Sequence, residues 1–264
     1  MPTSRIAFIG DLHGRLSAFE HTLAQAANRG ATTVIQTGDF WMGYSDPREL
    51  AKMGRIVDRV LTDADQPPES LRYLFIDGNH EAFPKLDPDA AEPVAVSSWL
   101  TYMPRGSAAT LNGLRIGFLG GASSIDKAWR VEGRSWWPAE NLRTDQVDRV
   151  GPADILVTHE TGTAQFYRLL ERNPHSRDKF YDPPGERNRV LIDKALHAAG
   201  PRAHVHGHHH APLVSAADGE PLTVSLSLEK TKGSVVILDP QDMTWTVAVG
   251  RKDTGDDYQY AGTL

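Results

Sequence analysis

The sequence predicts an α/β fold built around a parallel sheet, and three observations carry that prediction. Short, continuously apolar runs alternate with helical patterns from the N-terminal end; several such runs end directly in Asp, Asn or His; and from Pro212 onward strand-like runs follow one another with only turns between them. The alternation is that of βαβ units, whose strands are covered on both faces. The later run of strands suggests antiparallel closure, and two packed sheets with helices outside accommodate both patterns.

Residues 6–9 read as the first strand, ending at Gly10. Leu16, Phe19 and Leu23 then recur at helical spacing, and Gly30 offers a stop. Residues 32–37 read as the second strand. Leu50, Met53, Val57 and Leu61 keep to one helical face before Pro67-Pro68 breaks the chain ahead of a third strand at 72–77. Runs at 114–119, 155–158 and 203–206 read as further strands, with 190–196 helical between the last two, and strands at 212–216, 222–228, 234–238 and 244–249 follow. Residues 173–187 contain Pro174, Pro183 and Pro184 and little periodicity, so they read as a polar insertion, of the kind that often serves as a lid. No repeat and no interdomain linker is visible. Residues 1–264 are therefore expected to form one domain, with 252–264 a frayed polar tail.

An apolar fraction of 40% and a charged fraction of 23% are those of an ordinary globular protein with a substantial core. A formal charge of −6 argues against a surface built as a whole to attract nucleic acid. The absence of cysteine removes disulfides, thiolate ligands and thiol nucleophiles, so any metal must be held by oxygen and nitrogen. No apolar run approaches the roughly 20 residues of a membrane span, and the chain enters its first strand too early for a secretion signal. A cytoplasmic protein, with no membrane partner, is the expectation.

Five stretches concentrate the chemistry: Gly10-Asp11-Leu12-His13-Gly14, Gly38-Asp39, Gly78-Asn79-His80-Glu81, Thr158-His159-Glu160 and Gly207-His208-His209-His210. Each follows an apolar run, so the side chains arrive at strand ends, where α/β sheets place ligand-binding groups. Singly, each has a plain structural reading. Asp39 could cap a helix, Asn79 a turn, and His159 could be a satisfied histidine at a strand end. Together, carboxylates, an amide and imidazoles at one sheet edge suit two divalent metals, a device for cleaving phosphate esters.

In order and over residues 10–210, the five stretches resemble the motifs of the calcineurin-like metallophosphoesterases, and small bacterial or phage members in particular. The resemblance implies a four-layer α-β-β-α sandwich of two mixed sheets flanked by helices. It implies that Asp11, His13, Asp39 and His210 hold one metal, that Asp39 bridges to a second held by Asn79, His159 and His208, and that His80 is the catalytic histidine. With two carboxylates and a bridging hydroxide, two divalent ions leave a net charge of about +1, attractive to a phosphate anion. Ions about 3.5–4 Å apart can hold that hydroxide for in-line attack on phosphorus, while His80 assists the departing oxygen. Mn, Fe, Zn and Ni all suit such ligands, with Mn favoured.

The chain departs from the protein-phosphatase branch of that family. Where that branch carries an Asp and an Arg after Gly-Asp, this sequence has Met42 and Gly43. Phosphate-gripping charge is then expected from the loop after the strand at 114–119, with Lys127, Arg130 and Arg134 as candidate substrate-binding residues, while Trp136 and Trp137 either stack on a base or pack the loop. The expected activity is a phosphodiesterase acting on a nucleotide or cyclic nucleotide. A phosphomonoesterase, including a Ser/Thr protein phosphatase, a dinucleoside polyphosphate hydrolase, and a metal-stabilised scaffold on the same fold are the alternatives. His206 and His209 flank proposed ligands and are expected to support them; His21, His175 and His197 take no role.

Overall fold

A computed structural model describes residues 4–41, 45–172, 183–248 and 258–260. The apolar runs form the strands expected of them. β1 (Arg5–Ile9), β2 (Ala31–Gln36), β3 (Arg72–Phe75) and β5 (Leu100–Tyr102) lie parallel, linked by α1 (Leu16–Ala27) and α2 (Pro47–Asp63). β12 (Val235–Asp239), β13 (Thr244–Val247) and β14 (Tyr258–Tyr260) extend this sheet antiparallel beyond β1, and β4 (Val94–Ala95) borders β5, giving the order β14-β13-β12-β1-β2-β3-β5-β4. β14 thus pairs within the stretch predicted to fray.

The second sheet runs β10-β11-β9-β8-β7-β6. Its centre is the parallel set β7 (Leu114–Leu119), β8 (Ile155–Thr158), β9 (Ala203–His206) and β11 (Leu222–Ser225), with β6 (Ala108–Leu111) and β10 (Leu213–Ser215) antiparallel at its edges. The prediction of simple antiparallel closure after Pro212 needs correction: β11 lies parallel to β9, and the chain crosses between sheets before β12. Strand order is decided by which faces must be buried, which turn chemistry alone does not reveal.

Alternation along β1 shows how the layers are held. Ile6 and Phe8 face the second sheet, where they join Ile35, Ile116, Phe118, Val157, Val205 and Trp245. Ala7 and Ile9 face outward against Phe19, Leu23 and Val57 of α1 and α2. On the far side, Leu119 and Leu156 pack with Ile192 and Ala195 of α5 (Pro183–Ala199). The result is two mixed sheets flanked by helices.

α5 also corrects the insertion predicted at 173–187. Residues 173–182 lie outside the described residues, but Pro183, Pro184 and the positions up to Arg187 form the first turn of a helix. Proline is at home there, because the first N–H groups of a helix have no partner to lose. No helix among the described residues is long and apolar enough to cross a membrane.

Candidate metal centre

The C-terminal ends of β1, β2, β3, β8 and β9 open on one edge, and the loops there carry Asp11, Asp39, Asn79, His159 and the His208–His210 turn. The backbone is bent hard to aim them. His13, Asp39, His208 and His210 all have positive φ (46°, 54°, 68° and 51°), a conformation that non-glycine residues adopt at a cost and that clusters at functional sites. Two motif glycines make room. A Cβ on Gly78 would lie 2.1 Å from Asp39 Oδ1, and one on Gly207 would lie 2.4 Å from Asp11 Oδ1.

Candidate ligands gather on both sides of Asp39. His210 Nε2 donates to Asp11 Oδ2 at 2.8 Å, and His13 Nε2 lies 4.0 Å from the same oxygen and 3.3 Å from His210 Nε2. Asp39 Oδ2 is 3.8 Å from His13 Nδ1, while Asp39 Oδ1 is 3.4 Å from His159 Nε2. Asn79 Oδ1 lies 3.2 Å from that same His159 nitrogen. His208 stands at the margin: its ring centroid is 5.0 Å from that of His159, and its Nε2 turns toward Glu160 Oε2 at 3.8 Å. His80 is beside the group, its N–H donating to Asp39 Oδ1 at 2.7 Å and its ring centroid 5.1 Å from that of His13.

These residues fit divalent cations. Asp11, His13 and His210 offer donor atoms within 4.8 Å of one another, as do Asp11, Asp39 and His159. His159 Nδ1–H donates to the Thr37 carbonyl at 2.7 Å, which leaves Nε2 directed at the centre, as metal-binding imidazoles are commonly oriented. Electrostatics agree. Burial alone would raise Asp39 and Asp11, but the surrounding imidazoles, His159 foremost for Asp39 and His210 for Asp11, hold both below the usual carboxylate range. Burial would lower His159, yet the Asp39 and Asp11 carboxylates raise it to about 10. The His159 proton and the carboxylates together mark a position where positive charge is wanted.

Several supporting residues were not assigned from sequence. Asn79 Nδ2 donates to Ser124 Oγ at 3.1 Å, and Ser124 Oγ donates in turn to buried Glu140 Oε2 at 2.6 Å, so the Asn79 amide presents its oxygen to the centre. Glu81 is buried and accepts the N–H groups of Phe40 and Trp41 at 2.8 and 3.1 Å. Glu160 accepts from His209 Nε2 at 2.7 Å and faces His208 and Arg189. Glu81 and Glu160 each follow a motif histidine, a signal available in the sequence. Glu140 has none, since its partner Ser124 lies on another part of the loop.

The loop after β7 reaches the centre in part. Arg130, with its side chain 8% exposed, bonds to Ser124 Oγ and lies 3.4 Å from the Asn79 carbonyl, 3.6 Å from Asp126 Oδ1 and 3.8 Å from Glu140 Oε2. Its charge is thus shared with two carboxylates. Lys127 instead sets its ammonium 3.9 Å over the buried Trp136 ring, and Arg134 is exposed. Trp137 packs against Phe83 on the segment after β3. Asp126 Oδ2 is 3.9 Å from His80 Nε2. Met42 and Gly43 lie outside the described residues.

The family model of the calcineurin-like phosphoesterases matches residues 4–212. The chain belongs to that family. This calcineurin-like phosphoesterase is accordingly a metal-dependent phosphoester hydrolase acting on a phosphorylated substrate. Its fold is similar to that of TT1561 of Thermus thermophilus, at 14% identity over 93% of this chain and 98% of that one, with a TM-score of 0.53. Looser similarity links it to an archaeal phosphodiesterase (11% identity, 93% and 99% covered, TM-score 0.45) and to a dimetal phosphatase from Danio rerio (13%, 98% and 99%, 0.45). No curated protein sequence matches the chain.

Proposed function

We propose that this phosphoesterase holds two divalent ions and cleaves phosphodiesters. The observation that carries the reading is Asp39, one buried carboxylate with Oδ2 toward His13 and Oδ1 toward His159. A single side chain so divided can serve two ions at once. Asp11, His13, Asp39 and His210 would hold one, and Asp39, Asn79, His159 and His208 the other. Two such ions supply an activated water nucleophile and a clamp for the phosphoryl oxygens. Manganese heads the plausible metals for an all-oxygen-and-nitrogen donor set.

The chain's own residues complete the site. His80, at the rim beside Asp39, is placed to donate a proton to the departing oxygen. A diester preference follows from charge. Met42 and Gly43 stand where the protein-phosphatase branch has Asp and Arg, and Arg130 is already shared between Asp126 and Glu140. With Arg130 so engaged, a doubly charged monoester gains less from that cation, and a singly charged diester misses it less. The favoured substrate is a nucleotide diester or cyclic nucleotide. With protein reconstituted with Mn²⁺, kcat/KM is expected to be higher on bis-aryl phosphate and cyclic nucleotides than on matched aryl and nucleoside monoesters. A clear preference for monoesters or phosphoproteins would overturn the diesterase reading.

A further inference from the structure

Of the seven large apolar side chains exposed among the described residues, four, Trp41, Ile125, Trp129 and Val131, lie on the two loops that meet at His80. Exposed apolar side chains scattered singly need no explanation, whereas four on two loops that both reach His80 invite one. Trp41 is the innermost. Its indole is 50% exposed, with its ring centroid 6.3 Å from that of His80 and the two planes only 31° apart.

The backbone under that indole is fixed at a cost. Trp41 has φ of 36°, a rare conformation for a bulky residue. It is held there by the bond from its N–H to the buried Glu81 carboxylate, and its carbonyl packs so closely on Gly14 that a Cβ there would lie 2.6 Å away. Such conformations persist where the surroundings over-determine them, and they gather at ligand clamps. Burying the ring would be the ordinary outcome; here a strained backbone presents it to solvent at the mouth of the site.

Trp41 flanks the residue proposed to meet the departing oxygen, so a flat group laid on the indole belongs to the leaving alcohol. Asp126, 3.9 Å from His80 Nε2, disfavours further negative charge on that side. We infer that Trp41 is a stacking platform for the leaving group, and that the diester cleaved here has as its leaving group an uncharged alcohol that bears a planar aromatic ring, a nucleoside or a phenol. This inference rests on the phosphodiester reading above. It also weighs against leaving groups that are themselves phosphorylated.

The test compares adenosine 3′,5′-cyclic phosphate with trimethylene cyclic phosphate, which has the same six-membered ring and no nucleoside, on Mn²⁺-reconstituted wild type, Trp41→Ala and Trp41→Phe. The ratio of the two kcat/KM values is expected to fall about tenfold in Trp41→Ala, mainly through KM, within the usual worth of one stacked base, and to recover in Trp41→Phe. An unchanged ratio overturns the platform. If neither ring is opened, the diester reading fails separately, and the platform is then read from equilibrium binding of AMP against glycerol phosphate. The same tenfold loss of discrimination in Trp41→Ala supports it, and equal binding changes for the two ligands overturn it.

Discussion

Asp39→Asn is expected to abolish hydrolysis and to lower bound metal at both positions while the protein remains folded. The loss should exceed the roughly 10–100-fold that removal of an outer-shell partner costs, because Asp39 is the side chain that the two proposed ligand sets have in common. Retention of the fold follows from the backbone: Asp39 has φ of 54°, a region that asparagine tolerates as well as aspartate does. The amide oxygen can still accept from His80 N–H. Metal content by elemental analysis, activity, and unfolding monitored by circular dichroism together separate loss of metal from loss of structure. His21→Ala, on α1 with its ring bonded to Gln25, should leave all three as they are. Metal and activity surviving Asp39→Asn would show that the carboxylate bridges nothing.

His80→Ala should keep its metal and lose activity by about 10²–10⁴-fold, the usual contribution of a positioned acid or base. Esters with good leaving groups should suffer less, since they need less protonation. The pH dependence adds a second readout. Burial and the neighbouring Arg130 guanidinium lower His80 against the pull of Asp39, so its protonated form is the minor one at neutral pH and grows as pH falls. The ratio of wild-type to variant rate should therefore rise toward acid pH. His80 also lies within ligand range of His13 and Asp39. Loss of metal from His80→Ala would make it a ligand and remove the proton-donor role.

Much of this site was legible because its ligands sit within a few residues of strand ends. An apolar run followed by Asp-x-His or Gly-Asn-His is a local pattern, and β1, β2, β3, β8 and β9 formed where such runs predict them. What escaped the sequence depends on distant partners. The chain from Asn79 through Ser124 to Glu140 joins three separate segments, and no spacing announces it. Arg130 reads as a free phosphate-binding cation until Asp126 and Glu140 are seen beside it. The short strands β4, β5 and β6 give no clear period, and β11 pairs parallel with β9 because of what its faces bury. The prolines at 183 and 184 read as part of a polar insertion, although the first turn of a helix is where proline fits.

A pair of ions bridged by Asp39 must bind in competition with protons, and a calorimetric titration of the metal-free protein with Mn²⁺, run in buffers of different ionisation enthalpy, reads both their number and that competition. His159, raised to about 10 by Asp39 and Asp11 against the effect of burial, carries a proton at neutral pH in the metal-free protein. An incoming ion must displace that proton, so binding should release about one proton from this residue and tighten as pH rises toward 9. Two equivalents of metal per chain are expected, with proton release and with hydrolysis complete only when both are bound. Saturation of both binding and hydrolysis at a single equivalent would contradict it.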